Sequence, residues 1–495
     1  MRKHIPIVLL ALALSPLGAQ ADGHTSAVFS TPPTVDHLPN GLTLVTLPAE
    51  SPGIVAYYTL MRVGSRDEVE AGHSGYAHLF EHMMFRGTQD VPQEEYERRI
   101  QSFGADNNAY TTRDFTLYTV TSPKASLAEV VALEADRFQH LSYAEDAYRT
   151  ETGAVAGEYA KNASNPFMRM WETLSEMAFT RHTYGHTTMG YLRDVCAMPG
   201  EVAYSREFFR RFYTPDNATI IVAGDVDHDR VLALVREQYG SWRGRRARTR
   251  VRPEPEPRRG ARRDLSWSGT TPPRLFIAYR VPAFEGDGSA RRRARTLRQT
   301  AALQVVHGLV FGDSSPLHRR LVVDEQKVLE LSSWADEFNR DPGLFVVTST
   351  LKPSTSFDEV IAPTQAAIDR VAAGELPAAR IDAVRSHIRY SMLMHLDTPS
   401  NMADRVAQMI AVGGDPGALD RYLAALSAVT PDDVRDAARS FLTERRRFIV
   451  TLAPGQGDAQ PAGASLCPAE TPEAAAASST SGEAQPAAGS EGGAQ

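Results

Sequence analysis

Met198-Pro199-Gly200-Glu201-Val202, a helix-like stretch through Phe208 and Phe209, and the strand-like run Ala218-Thr219-Ile220-Ile221-Val222-Ala223-Gly224 close one half of the chain. Thr430-Pro431-Asp432-Asp433-Val434, a helix-like stretch through Phe441, and Phe448-Ile449-Val450-Thr451-Leu452 close the other. Pro199 and Pro431, Val202 and Val434, and Phe209 and Phe441 are each 232 residues apart. A constant offset of this kind predicts two copies of one domain of about 200 residues. Thr430 before Pro431 reads as a helix start, a capping hydroxyl ahead of a proline whose missing N–H costs nothing in the first turn. The strand-like runs Ile54 to Leu60, Thr116 to Val120, Leu275 to Tyr279 and Leu344 to Thr350 interleave with long helical patterns. Each copy is therefore expected to mix α and β, an α+β fold class.

Outward from these halves the chain changes character. Residues 242–264 hold Arg, Pro and Glu with hardly an apolar side chain, which reads as a solvated, partly polyproline linker between a domain at 30–241 and one at 265–454. At the start, Arg2-Lys3-His4, an apolar run from Ile5 to Leu14 and Ala19-Gln20-Ala21 predict a signal peptide over 1–21, hence an exported protein, periplasmic or secreted. That run is shorter than the roughly 20 residues of a spanning helix, and no membrane span is expected. Residues 455–495, without an aromatic side chain, Lys or Arg, read as a disordered tail. The tail carries Cys467 and the folded body Cys196, the chain's two cysteines, and no structural disulfide is expected from that placement. Across all 495 residues, 42% hydrophobic and 23% charged content excludes a largely disordered or polytopic membrane chain. A net charge of −7 argues against a nucleic-acid partner, which would call for clustered cations.

The chemistry is concentrated in His78-Leu79-Phe80-Glu81-His82. On a helix, positions i and i+4 share a face with i+3 beside them. Two imidazoles then reach one metal ion with a carboxylate adjacent, the inverse of the H-E-x-x-H order. A third protein ligand is needed, and Tyr148 to Tyr159 offers Glu151 and Glu158, seven residues and two helical turns apart on one face. His182 and His186 repeat the i, i+4 spacing around Gly185, with no nearby carboxylate, and are read as structural.

With this motif and these glutamates, the chain resembles the insulinase, or pitrilysin-type, zinc metallopeptidases, in a two-domain form similar to the mitochondrial processing peptidase β-subunit. The resemblance runs over essentially 35–455. It implies two homologous domains, each a mostly antiparallel sheet packed against helices, forming a clamp. It implies one Zn2+ per chain held by His78, His82 and Glu158, with Glu81 as general base and Glu151 steadying the site. It further implies that Asn108, Ala109 and Tyr110, in a stretch similar to the family's N-A-Y-T strand, pair with an extended substrate. One departure stands in the second half. Active members carry an Arg and a Tyr after a segment like Ser315 to Leu321; here Arg319 and Arg320 are present, but Val328-Leu329-Glu330-Leu331 occupies the tyrosine's place. No second H-x-x-E-H occurs there. The expectation is an exported zinc endopeptidase of extended or unfolded peptides, the catalytic subunit of a heterodimer with a related, zinc-less chain. The alternative is a non-cleaving peptide-binding or assembly subunit with a structural zinc. Relatives of that kind normally lose a ligand or the base, and this chain keeps them. Metal-activated water also leaves hydrolysis of a non-peptide open.

Overall fold

The computed structural model describes residues 28–336, 338–375, 378–456 and 466–467. The leader expected at 1–21 and most of the tail expected at 455–495 lie outside the described residues. Among those described, no helix is long and apolar enough to cross a membrane.

Two sheets organise the chain. The first joins β1 (Thr34–His37), β2 (Thr43–Pro48), β3 (Ile54–Met61), β4 (Asp106–Thr111), β5 (Thr116–Pro123) and β6 (Ala218–Gly224) in the order β1-β2-β6-β3-β5-β4. The second joins β7 (Ala261–Trp267), β8 (Arg274–Arg280), β9 (Val328–Ala335), β10 (Leu344–Leu351) and β11 (Arg447–Pro454) in the order β7-β11-β8-β10-β9. Without β1 the two orders coincide strand for strand. In each, the last strand of the domain runs parallel to one outer neighbour, β2 or β7, and antiparallel to the other, β3 or β8. The duplication and the mixed, mostly antiparallel architecture expected from sequence are thus present.

A helix from each half crosses to the other half's sheet. Pro166–Ala178 and Pro399–Gly413 each start on a proline after a capping side chain, Asn165 or Thr398, and lie 233 residues apart. The first packs Met170, Leu174 and Ala178 with Phe276, Ala278, Phe448 and Val450 of the second sheet. The second packs Ala403, Ala407 and Ile410 with Val45, Ala56, Tyr58 and Ile221 of the first. The opposite face of the first sheet, through Leu44, Tyr57, Tyr118, Ile220 and Val222, meets its own domain's helices at Leu79, Phe80 and Phe138. Both faces of β6 are therefore covered, so all seven of its residues are buried and its sequence is apolar apart from Thr219.

Two expectations are corrected. The segment read as a solvated linker through Asp264 is shorter and tied down. Its last residues, from Ala261, form β7, an edge strand whose polar, exposed side chains gave it a linker's composition. Upstream, Thr249 and Arg246 bond the buried Asp67 carboxylate at 2.8 and 3.2 Å, and Glu254 accepts from Thr180 Oγ and the Arg181 and His182 amides at 2.7–3.0 Å. Second, Cys467 is not free in a detached tail but forms a disulfide with Cys196, with Leu466 packed on the first domain's core. Tail composition carried no sign of that return.

Candidate metal centre

The helix Tyr76–Met83 carries the H-x-x-E-H motif, and its start is built from buried carboxylates. Glu68 accepts from the Gly75 and Ala77 amides at 2.8 and 2.7 Å, and Asp194 accepts from the Ser74 amide and hydroxyl at 3.2 and 2.5 Å. These satisfy donors that a helix N-terminus leaves open. Gly75 sits at φ 92, in the left-handed region, and a side chain there would strike the Met189 carbonyl. Burial pushes the Glu68 carboxyl up to about 8.

His78 and His82 present their rings edge to face, centroids 4.9 Å apart. Glu158, on the helix Glu145–Ala163, places Oε2 3.5 Å from Nε2 of both. These donors all lie within 4.8 Å of one another. A tetrahedral zinc with bonds of 2.0–2.2 Å requires donors about 3.4 Å apart, so nitrogen, nitrogen and carboxylate oxygen fit that ion in kind, and the two separations of 3.5 Å from Glu158 fit it in spacing. Burial pushes the His78 imidazole below its ordinary value against the pull of Glu81 and Glu158, which favours the neutral form that ligates. The hydrogen bond with His82 holds Glu158 below the usual carboxylate range. Of the two glutamates left open by spacing, Glu151 faces His82 from behind, its Oε2 3.3 Å from Nδ1, and also pairs with Arg86. A carboxylate on Nδ1 leaves Nε2 free for the metal.

Glu81 lines a surface cleft with His82, Phe85, Arg86, Gln93, Asn108, Ala109 and Glu151. The cleft's far wall is β4, the outermost strand of the first sheet, with no strand beyond it among the described residues. Asn108 Oδ1 accepts from the Ala109 amide at 2.9 Å. Tyr110 belongs to this edge through its backbone, while its hydroxyl bonds Asp404 in the second domain. His182 and His186 stand apart from the metal donors: His182 Nε2 is 3.2 Å from Asp341, and His186 is buried with Nδ1 beside the Thr187 carbonyl. Arg319 and Arg320 pair with Asp324 and Glu325 of their own turn, and Leu329 is 57% exposed on β9.

The sequence pointed to no role at the site for Glu68, Asp194 or Arg86. The first two act across loops, with no spacing to mark them. Arg86 carried a signal, four residues beyond His82 and on the same side of the continuing helical turn.

Two family models match the chain: "Insulinase (Peptidase family M16)" over 51–191 and "Peptidase M16 inactive domain" over 203–388. The zinc protease PqqE of Helicobacter pylori is 25% identical over 425 residues, covering 84% of this chain and 92% of that protein. The mitochondrial-processing peptidase subunit beta of Blastocladiella emersonii is 25% identical over 448 residues, 88% and 92% of the two chains. Among solved structures, that of a protease from Helicobacter pylori superposes with a TM-score of 0.78 at 24% identity, over 85% of this chain and 99% of that one.

Proposed function

The chain belongs to the insulinase (M16) family of zinc metallopeptidases, and from that premise we propose that it is an exported endopeptidase of extended peptides in which Glu81 is the general base. One observation carries the reading: three donors of the right kind converge on one point, beside a free carboxylate and an open strand edge. Zinc bound there supplies Lewis acidity, polarising a carbonyl and bringing the pKa of water to about 7. Glu81 takes the proton of the attacking water and delivers it to the leaving amine. Glu151 orients His82 through Nδ1, and β4 holds the peptide extended by strand addition. Export, to a periplasm or beyond the cell, is supported by the leader-like start and by the disulfide, which persists in oxidising compartments.

The protein works as the metal-bearing member of a pair with a related chain that lacks the metal site. Val328-Leu329-Glu330-Leu331, on the outer strand of the second sheet where the family resemblance calls for a tyrosine, supports this division, the missing group being supplied by the partner. A fully active homodimer would overturn it. The test of the chemistry is the zinc-loaded protein, with and without its partner, given an unstructured peptide and read by mass spectrometry beside two variants. Glu81→Gln is expected to keep zinc and lose cleavage, and Glu158→Gln to lose zinc. Wild-type cleavage by Glu81→Gln sinks the base, and no cleavage by the assembled wild type leaves the non-cleaving clamp as the reading.

A further inference from the structure

The disulfide joins two places that matter to the metal centre for different reasons. Cys196 sits on the short helix Leu192–Ala197, inside the segment 189–198. That segment touches both helices that carry metal donors. On one side Asp194 holds Ser74 by two hydrogen bonds and the Tyr191 amide donates to Ser74 Oγ at 2.8 Å, directly ahead of the motif helix. The packing there leaves no slack: a side chain on Gly190 would lie 2.7 Å from the Gly75 nitrogen, and one on Gly75 would lie 2.7 Å from the Met189 carbonyl. On the other side the Tyr148 hydroxyl, from the helix that bears Glu151 and Glu158, donates to the Met198 carbonyl at 2.8 Å. The segment is a wedge between the His78/His82 helix and the Glu158 helix.

Cys467 comes from 271 residues further along the chain. It follows Pro454, the last residue of β11 in the second sheet, by 13 residues. The intervening sequence, from Gly455 to Ser465, has no aromatic, Leu, Ile, Val or Met side chain with which to grip the first domain. Leu466 nonetheless packs on the first domain's core, beside the bond. Cysteines occur at these two positions and nowhere else, so no other intrachain pairing competes.

We propose that Cys196–Cys467 is a thiol–disulfide exchange site that acts as a redox staple on the metal centre. Oxidised, it fixes the wedge 189–198 to the chain end of the second domain. Reduced, it releases Leu466, and the wedge loosens its hold on both donor helices. The co-reactant is a dithiol. One of its thiolates attacks a sulfur of the pair, displacing the other as a thiolate and forming a mixed disulfide; its second thiol then resolves that bond. The dithiol leaves as a disulfide, two electrons poorer, and Cys196 and Cys467 remain as thiols. The proposal goes beyond peptidase activity and rests on the zinc reading only for the second of its two readouts.

The test compares the mature protein as isolated, after treatment with dithiothreitol, and as Cys467→Ser. Cys467 lies in neither sheet, so the substitution removes the bond and leaves every strand and helix of the two domains with its own sequence. Hydrogen exchange is followed by mass spectrometry in peptides covering 189–198 and 74–83, with β10 as an internal control. Reduction and Cys467→Ser are both expected to raise exchange several-fold in the two peptides and to leave β10 unchanged. Zinc transfer to a colorimetric chelator is expected to quicken several-fold in the same two samples. Equal exchange in oxidised and reduced protein overturns the proposal, as does recovery of both cysteines as thiols from the exported protein. If no form takes up zinc, the zinc reading of the centre fails, and the exchange comparison still decides the staple.

Discussion

The Tyr110 hydroxyl donates to Asp404 Oδ1 at 2.6 Å, tying the outer strand of the first sheet, on the wall of the metal cleft, to the Pro399–Gly413 helix of the second domain. A second tie, Thr121 Oγ to Ser400 Oγ at 2.9 Å, lies one strand further in. The edge on which a peptide would add is thus positioned by the neighbouring domain. Tyr110→Phe removes the outer tie and leaves the backbone edge in place. A hydrogen bond to a charged acceptor is worth about 1.5–3 kcal/mol, so a fall in stability of that order is expected in denaturant titration. In kinetics, KM for an extended peptide should rise several-fold with kcat nearly unchanged, because the loss falls on binding. An unchanged KM would show that the tie does not set the edge.

Glu151 is expected to matter through His82. Glu151→Gln keeps the shape but weakens the acceptor on Nδ1 and leaves Arg86 without its carboxylate. Substitution of such partners typically costs about 10–100-fold in metal affinity or activity. Competition with a chelator of known affinity, alongside kcat/KM, reads both. Wild-type values in both would reduce Glu151 to a fold contact.

The buried Glu68 carboxyl supplies a pH dependence with a definite sign. Its pKa is raised to about 8 in the fold, by burial first, while an unfolded glutamate titrates near 4.5. Its contribution to stability is therefore whole below about 4.5 and is lost as pH rises through about 8. The thermal midpoint is expected to fall between about pH 5 and 8 and to level off above that, and Glu68→Gln, whose single oxygen keeps one of the two bonds from the Gly75 and Ala77 amides, is expected to be less stable at low pH and to flatten that fall. The same slope in the variant would place the titrating group elsewhere.

What the sequence made legible was local or repeated. H-x-x-E-H could be read because helical spacing alone brings His78, Glu81 and His82 to one face, and the duplication because residues 232 apart kept their identities. Choosing Glu158 over Glu151 needed the family resemblance, since both lie on one face of the same helix and only tertiary placement separates ligand from support. Glu68 and Asp194 were invisible because a carboxylate that caps a helix from another loop has no fixed spacing to it. The strand from Ala261 was hidden by its own exposure, an edge strand with polar side chains having a linker's composition. The return of Cys467 was hidden because one covalent bond holds it where no apolar pattern could.

The exchange of helices between the halves leads to a last prediction. Val45, Leu47, Ala56, Ile221 and Ala223 are fully buried, and Tyr58 is nearly so, on the face of the first sheet that the second domain's helix Pro399–Gly413 covers. Each such side chain, on full burial, contributes up to roughly 1.5–3 kcal/mol for the larger ones, and together they would form an apolar patch of the kind that soluble monomers seldom expose. Residues 28–243 alone are therefore expected to aggregate or to bind a hydrophobic dye strongly, although every metal donor and the whole first sheet are present. Co-expression with residues 244–467 is expected to restore a soluble complex, because Ala403, Ala407 and Ile410 return to that face while Pro166–Ala178 finds the second sheet. A soluble, monomeric 28–243 fragment with a cooperative unfolding transition would show that the first domain does not depend on the exchanged helix.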